Sequence, residues 1–439
     1  MRLVSRNTPA LHGSVRLPGD KSISHRAAVL AATADGLSRI DGFLRAGVTQ
    51  VMLYSLAAAG VKWRWEKETL VVEGNGRSGF RTGPQPLYCG NSATTFRLLS
   101  GVLAGRPEWR SDAAGGEFIL DGSDQLRRRP MRRVIEPLRA MGAAIRSMQQ
   151  PDCAPLGITP SEISGIEYSM PIASAQVKSA ILLAGLAASG STLVQEPSPS
   201  RDHTERLLRI LGVRLDEVPC RVRVFPIGRP LPPLEIRIAG DFSSAAFPLV
   251  AALIVPGSEV ILRDVGLNPR RTGMLAALRR MGADVVELDR SETAGEPRGD
   301  LRVRAGPLSS TVVEGAEVVD MIDEFPVFAV AAARAEGITI IQNAAELRNK
   351  ESDRISMLAA ELWKVGVAVE ETPDGFSIEG PVEIRGGLVD SHGDHRLAMA
   401  MTVAGLVSKT PVEVEGAECV SESFPNFASL MNSLGAQIA

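Results

Sequence analysis

The chain has little cysteine, little lysine and no long uninterrupted apolar stretch. Cysteine occupies four of 439 positions, Cys89, Cys153, Cys220 and Cys419, with no CxxC pair. A disulfide framework and a cysteine-based zinc site are therefore not expected. The clearest apolar runs, 180–188 and 245–255, fall far short of the roughly 20 residues a membrane helix needs. The opening MRLVSRNTPALHGSV has no apolar signal core, so a cytoplasmic protein is expected. Net charge is −3, from 48 basic and 51 acidic residues, and gives no global field for nucleic acid. Only seven of the basic residues are lysine. A lysine kept inside a motif then draws attention, because lysine shifts its pKa with environment and arginine does not.

What remains is an ordinary globular composition, 44% hydrophobic and 23% charged. The length suits two large domains or three smaller ones. A pattern recurs six times: an apolar helix, a glycine, then an alternating strand. The copies are MLYSLAAAGVKW, IEPLRAMGAAI, TERLLRILGVRL, MLAALRRMGADV, MLAAELWKVGVAV and FASLMNSLGAQI. Their glycines, Gly60, Gly142, Gly212, Gly282, Gly366 and Gly435, are spaced by 82, 70, 70, 84 and 69 residues. Each stands where a helix end needs the left-handed conformation. Between the copies lie strand–turn–helix–turn–strand segments such as SVRLPGDKSISHRAAVLAATADGLSRIDGF, whose helices begin at Ser, Asp or Asn.

Six units of 65–85 residues exceed the usual solenoid repeat. They predict an α/β (α+β) chain of two similar domains with three units each. PIGRPLPPLEIRIAG, with four prolines, is the expected linker at Pro226–Gly240. The expected division is 20–235 for one domain, and 1–19 with 236–439 for the other.

Polar chemistry gathers at the helix starts. Gly19-Asp20-Lys21-Ser22-Ile23-Ser24-His25-Arg26 joins free backbone N–H groups to Lys21, two hydroxyls and Arg26, which suits a phosphate. Cys89-Gly90-Asn91-Ser92-Ala93-Thr94-Thr95-Phe96-Arg97 offers small side chains that let a ligand approach the backbone. DGSDQLRRRPMRR holds five arginines, of which Arg129, before Pro130, is the one expected to turn inward. Ser174-Ala175-Gln176 supplies hydrogen-bonding groups at another helix start. Lys350 and Arg354 are four apart, a spacing that puts both on one helix face, with Glu351 and Asp323 as candidate acid and base. Asp394-His395-Arg396 precedes a last apolar helix. No Walker loop, dinucleotide GxGxxG, Ser-His-Asp spacing or metal cluster is visible. Small anionic substrates are expected, with no metal and no cofactor.

The ordered set PGDKSISHR, CGNSATTFR, RRRP, SAQ, DEFP, NKESDR and GDHRLAMA resembles the 5-enolpyruvylshikimate-3-phosphate (EPSP) synthase family, from about Pro18 to Pro425. The resemblance implies two domains of three βαβαββ-type repeats, an inside-out α/β barrel in each, with a cleft that closes on substrate. The N-terminal segment would complete the second domain. It implies transfer of the enolpyruvyl group of phosphoenolpyruvate to the 5-hydroxyl of shikimate 3-phosphate. By the same resemblance, Lys21, Ser22, Arg26, Ser174, Ala175, Gln176, Arg201, Asp323 and Lys350 bind shikimate 3-phosphate. Lys21, Asn91, Ala93, Arg129, Gln176, Arg354, His395 and Arg396 bind phosphoenolpyruvate. Asp323, Glu351 and Lys21 are the implied catalytic groups. A monomer in the cytoplasm, without nucleic-acid or membrane partners, is the matching expectation.

Two positions depart from the family pattern. Glu422 stands in Ser421-Glu422-Ser423-Phe424-Pro425, where some members place a lysine. Ala93 stands where many have glycine, a change that goes with glyphosate tolerance in the family. Two other readings stay open on sequence. One is the related transferase that acts on UDP-N-acetylglucosamine and uses a loop cysteine. The other is a polyanion or RNA binder built on residues 127–133.

Overall fold

The computed structural model describes all residues except 77, 83–84, 107–108 and 112–115, and leaves out the side chains of 82, 110 and 111. By internal contacts the chain forms two units. The first is Gly19–Ile238 with Thr293–Glu296; the second is Met1–Pro18, Ala239–Glu292 and Pro297–Ala439. The expected boundaries differ by one to three residues, and they placed 293–296 in the other half.

Among the described residues each unit holds three four-stranded sheets of one recurring design. A parallel pair stands at one edge, and antiparallel pairs continue from it. In the first unit Glu235–Arg237 runs parallel to Asp35–Asp41, which pairs antiparallel with Thr69–Asn75, which pairs antiparallel with Lys62–Glu66. In the second unit Val312–Val313, Gly337–Ile341, Gly375–Gly380 and Glu370–Thr372 repeat this order. The N-terminal strands serve the second unit. Leu3–Arg6 pairs with Val412–Glu415 and Gln437–Ile438, and His12–Arg16 runs beside Glu259–Gly266.

Each repeat carries two helices of different character. The first is apolar nearly all round, so it must be buried. All 13 residues of Phe242–Ile254, all eight of Phe325–Ala332 and all ten of His395–Ala404 are buried. Three such helices make the centre of each unit, with the sheets outside. Lys21–Thr33, Ala93–Ala104 and Ala175–Gly185 do so in the first unit. The approach there is close: a Cβ on Gly101 would lie 2.2 Å from the Ala180 carbonyl oxygen. The second helix of each repeat is amphipathic, as in Arg354–Lys364, where Leu358 and Leu362 are buried and Trp363 is 70% exposed.

The six repeat glycines all have positive φ, between 77° and 105°. Each follows a buried apolar helix cap: Ala59, Met141, Leu211, Met281, Val365 and Leu434. A side chain at these glycines would clash with its own carbonyl, so the repeat is written in backbone geometry.

The proline-rich segment is no plain linker. Its Glu235–Arg237 forms the edge strand just described, and Leu231 bridges Ala34. The strands Asp284–Thr293 and Glu296–Arg304 form a hairpin turned by Ala294 and Gly295, both at positive φ as a two-residue hairpin turn requires.

Candidate active site

In the first unit the helix Lys21–Thr33 begins under the cap of Asp20, whose Oδ1 accepts the Ile23 amide at 2.8 Å. This cap holds Lys21 and Ser22 at the mouth of the helix, where the free N–H groups gather. One turn on, Arg26 is buried and spends its donors inside the protein. Nε donates to Thr204 Oγ1 at 2.8 Å and Nη1 to the Ser22 carbonyl at 3.0 Å. Nη2 reaches Ser179 Oγ at 2.8 Å and the Ala175 carbonyl at 3.3 Å. Burial pulls its pKa down to about 10, with Glu205 opposing, so it stays charged at neutral pH. Arg26 thus ties Ser22 to Ala175, and Arg201 Nη1 reaches Ser22 Oγ at 3.5 Å.

The second motif is joined to the third. Gln176 Nε2 donates to Thr94 Oγ1 at 2.9 Å, and Gln176 Oε1 accepts from Arg97 at 2.5 Å. Ser174 is the N-cap of its helix but makes no capping bond with its side chain. Ala93 is the first residue of Ala93–Ala104, capped by Ser92, and is buried. Asn91 Nδ2 donates to Gln125 Oε1 at 2.8 Å, and its Oδ1 is buried without a hydrogen-bond partner among the described residues. His25 was not expected to matter, yet its Nδ1 donates to the Lys21 carbonyl at 2.8 Å and its Nε2 lies 3.2 Å from Ser92 Oγ. Burial above all holds its pKa down at about 4, so it links the two motifs as a neutral ring.

Within the arginine run, Arg127 is drawn to a carboxylate, with bonds to Asp121 of 2.9 and 2.5 Å. Arg129 lies half-buried beyond the short helix Asp124–Arg127, and the next helix starts only at Arg132. Arg132 pairs with Glu136 on the surface.

In the second unit the expected acids meet the expected arginines. Arg354, with its side chain 2% exposed, donates to Asp394 at 2.7 Å, to Glu351 at 2.6 Å and to Asp323 at 3.3 Å. Burial opposes its charge, but the three carboxylates outweigh that and raise its pKa. Asp394 is held below the usual carboxylate range; burial works against this, and Arg354 overcomes it. Asp394 Oδ1 also accepts the Arg396 amide at 2.9 Å, capping the helix that carries His395 and Arg396. Asp323 lies 3.6 Å from Arg396 and 3.7 Å from Arg271. Lys350 has a lowered pKa, from burial chiefly, with Asp323, Glu346 and Glu351 resisting.

Lys350 and Arg354 do not share a helix. The helix begins at Arg354 under the cap of Asp353, and Lys350 closes the 3-10 turn Ala345–Asn349. The Asp353 side chain takes the Ile355 and Ser356 amides, which stops the helix from running back to Lys350. The helix Phe325–Ala332 likewise departs from the Ser/Asp/Asn rule, with Glu324 at its N-cap.

Sequence reading missed Arg271. It is buried, with Nη2 2.7 Å from Asp241 and 2.8 Å from Ser243 Oγ. Its neighbour Arg270 is more exposed and pairs with Asp320 at 3.4 Å. Adjacent arginines look alike in sequence, so only the fold tells them apart. For a metal, the one group among the described residues is Asp202, His203 and Glu296. There His203 Nδ1 already lies 2.7 Å from Glu296, and Arg206 lies 2.9 Å from Asp202. Arg206 also lies 4.0 Å from Glu296, so both acids have a cation close by without an ion.

A family model described as EPSP synthase (3-phosphoshikimate 1-carboxyvinyltransferase) matches residues 6–431. The chain belongs to the EPSP synthase family. A 3-phosphoshikimate 1-carboxyvinyltransferase of Geobacter sulfurreducens is 47% identical over 432 residues, 98% of this chain and 99% of the relative. One of Xanthomonas euvesicatoria is 48% identical over 434 residues, covering 98% and 96%. A solved EPSP synthase from Acinetobacter baumannii superposes with a TM-score of 0.88 at 38% identity, covering 100% of this chain and 99% of that one. The family's two-domain α/β fold is the one described above. No helix among the described residues is long and apolar enough to cross a membrane.

Proposed function

We propose that this chain transfers the enolpyruvyl group of phosphoenolpyruvate to the 5-hydroxyl of shikimate 3-phosphate, releasing phosphate. The observation that carries the reading is the cluster of Asp323 and Glu351 around Arg354, with Arg396 and Lys350 at hand. A hydroxyl is a weak nucleophile and needs a base, and attack at C2 of the enol needs a proton at C3. Asp323 takes the hydroxyl proton. Glu351 supplies the C3 proton and forms a methyl group. The product of this step is a tetrahedral ketal phosphate. Loss of phosphate and of one methyl proton then restores the enol ether.

The cations stabilise charge that is fixed in place, so little reorganisation is needed during the reaction. Arg129, Arg354 and Arg396, with Lys21, Asn91, Gln176 and His395, grip phosphoenolpyruvate. An incoming carboxylate or phosphate takes over donors that Arg354 now gives to Glu351, and frees Glu351 to carry its proton. Ser22, Arg26, Ser174, Ala175, Gln176, Arg201 and Lys350 hold shikimate 3-phosphate. Arg26 does so mainly by shaping its neighbours, since four of its hydrogen bonds are internal.

Ala93 sits buried at the helix start, and its methyl crowds glyphosate more than phosphoenolpyruvate. We read the enzyme as glyphosate-tolerant, monomeric and cytoplasmic. The amino-sugar reading calls for a cysteine on a loop, whereas Cys89 is fully buried and burial pushes its thiol pKa up. The RNA reading loses Arg127 and Arg132 to Asp121 and Glu136. The test is phosphate release from phosphoenolpyruvate with shikimate 3-phosphate, with UDP-N-acetylglucosamine, or with neither. Release only with shikimate 3-phosphate is expected; release with the amino sugar contradicts the reading.

A further inference from the structure

Beneath the candidate shikimate 3-phosphate residues lies an ionic group that the mechanism does not use. Lys178 sits on the helix Ala175–Gly185, and its side chain is 4% exposed. Its Nζ is 2.7 Å from Glu196 Oε2 and 2.7 Å from Glu205 Oε1, and 3.4 Å from the Ser200 carbonyl. Burial works against the ammonium, but the two glutamates outweigh it and raise its pKa, so it stays charged.

Glu196 in turn holds Ser200 twice. It accepts the Ser200 hydroxyl through Oε1, and the Ser200 amide lies 3.4 Å from Oε2. Between them run Pro197, Ser198 and Pro199, and the prolines fix two of the φ angles. Lys178, Glu196 and Ser200 therefore close a stiff loop at its base. The next residue is Arg201, whose guanidinium reaches Ser22. A buried ion triplet is a costly way to fill a core, and apolar side chains of similar volume would serve as well or better. What charge adds here is a directed grip on one backbone segment.

We propose that Lys178 is a positioning residue for shikimate 3-phosphate, clamping Glu196 and Ser200 so that Arg201 is held against Ser22. This rests on the reading that Arg201 and Ser22 bind that substrate. Lys178→Met leaves two buried glutamates without a cation and can unfold the protein. Ser200→Ala removes only the hydroxyl bond to Glu196 and decides the matter if Lys178→Met does not fold.

The experiment measures kcat and both KM values for wild type, Lys178→Met, Ser200→Ala, Arg201→Ala and the Ser200→Ala/Arg201→Ala double variant. Arg201→Ala should raise KM for shikimate 3-phosphate about tenfold or more and leave that for phosphoenolpyruvate within about twofold. Ser200→Ala should raise the same KM by roughly three- to tenfold, and add nothing in the Arg201→Ala background. A merely structural role would move both KM values together, or would add its full effect to Arg201→Ala; either result overturns the clamp. If Arg201→Ala changes the KM and Ser200→Ala does not, the clamp fails while the site reading stands. An unchanged KM in Arg201→Ala overturns the assignment of Arg201, and this proposal with it.

Discussion

The two units hold their buried arginines in different ways. In the first, Arg26 is buried against neutral acceptors: two hydroxyls and two carbonyls. In the second, Arg354 is buried against three carboxylates, and Arg271 and Arg396 stand near two more acids, Asp241 and Glu324. Neutral acceptors fix a cation and leave its charge to act on whatever anion arrives. Carboxylates cancel it until a substrate anion competes. The first arrangement suits holding a phosphate. The second suits the proposed proton transfer, since Asp323 and Glu351, the acids proposed to move protons, are among those that neutralise Arg354.

The sharpest way to break this comparison is to remove an acid from the second unit. Glu351→Gln should lower kcat by about 10²–10⁴-fold, the usual range for a lost acid–base group, while both KM values stay within a few-fold. A variant that loses only substrate affinity would make Glu351 a binding group and erase the contrast.

Next in size is a stability comparison. Arg354→Met leaves Asp394, Glu351 and Asp323 facing one another and should cost roughly 3–5 kcal/mol at pH 7. Asp394 has a depressed folded pKa, so the stability it contributes is present above its unfolded value, about 3.9, and is lost as pH falls through the folded one. Without Arg354 that contribution is gone, and protonation relieves the unpaired acids. The deficit of Arg354→Met relative to wild type should therefore shrink between pH 7 and pH 5. Arg26→Met should also be destabilising, but with a deficit that changes less over that range, because its four hydrogen-bond partners do not titrate and only its longer-range interactions with carboxylates such as Glu205 respond to pH. Chemical denaturation at both pH values separates the cases; parallel behaviour would remove the distinction.

The smallest expected effect concerns Ala93, at a helix start that contains no acid. Ala93→Gly should strengthen glyphosate inhibition by roughly tenfold or more, the worth of one methyl group in a tight pocket, and change KM for phosphoenolpyruvate less. Unchanged inhibition would mean that the methyl does not face the inhibitor.

The repeats were readable because they rest on backbone geometry. A glycine that must take positive φ after an apolar cap leaves a mark in sequence, and all six marks lie where the helices end. The capped helix starts at Asp20, Ser92 and Asp394 were readable for the same local reason. Choices made by tertiary packing were not. Nothing local tells Arg270 from Arg271; the carboxylates Asp320 and Asp241 decide, and they come from elsewhere in the chain. The spacing of Lys350 and Arg354 suggested one helix face, but Asp353 between them caps the helix instead. The prolines of 226–240 suggested a linker and concealed the three-residue edge strand Glu235–Arg237. Edge strands tolerate such surroundings because one side needs no ladder partner.

The most direct test of the account is phosphate release at saturating phosphoenolpyruvate and shikimate 3-phosphate, wild type against Asp323→Asn. Asparagine keeps the size of the side chain and removes its ability to take a proton. Release should fall by about 10²–10⁴-fold with both substrates still bound. Wild-type release in a folded Asp323→Asn protein would contradict the role of the second unit as the seat of proton transfer.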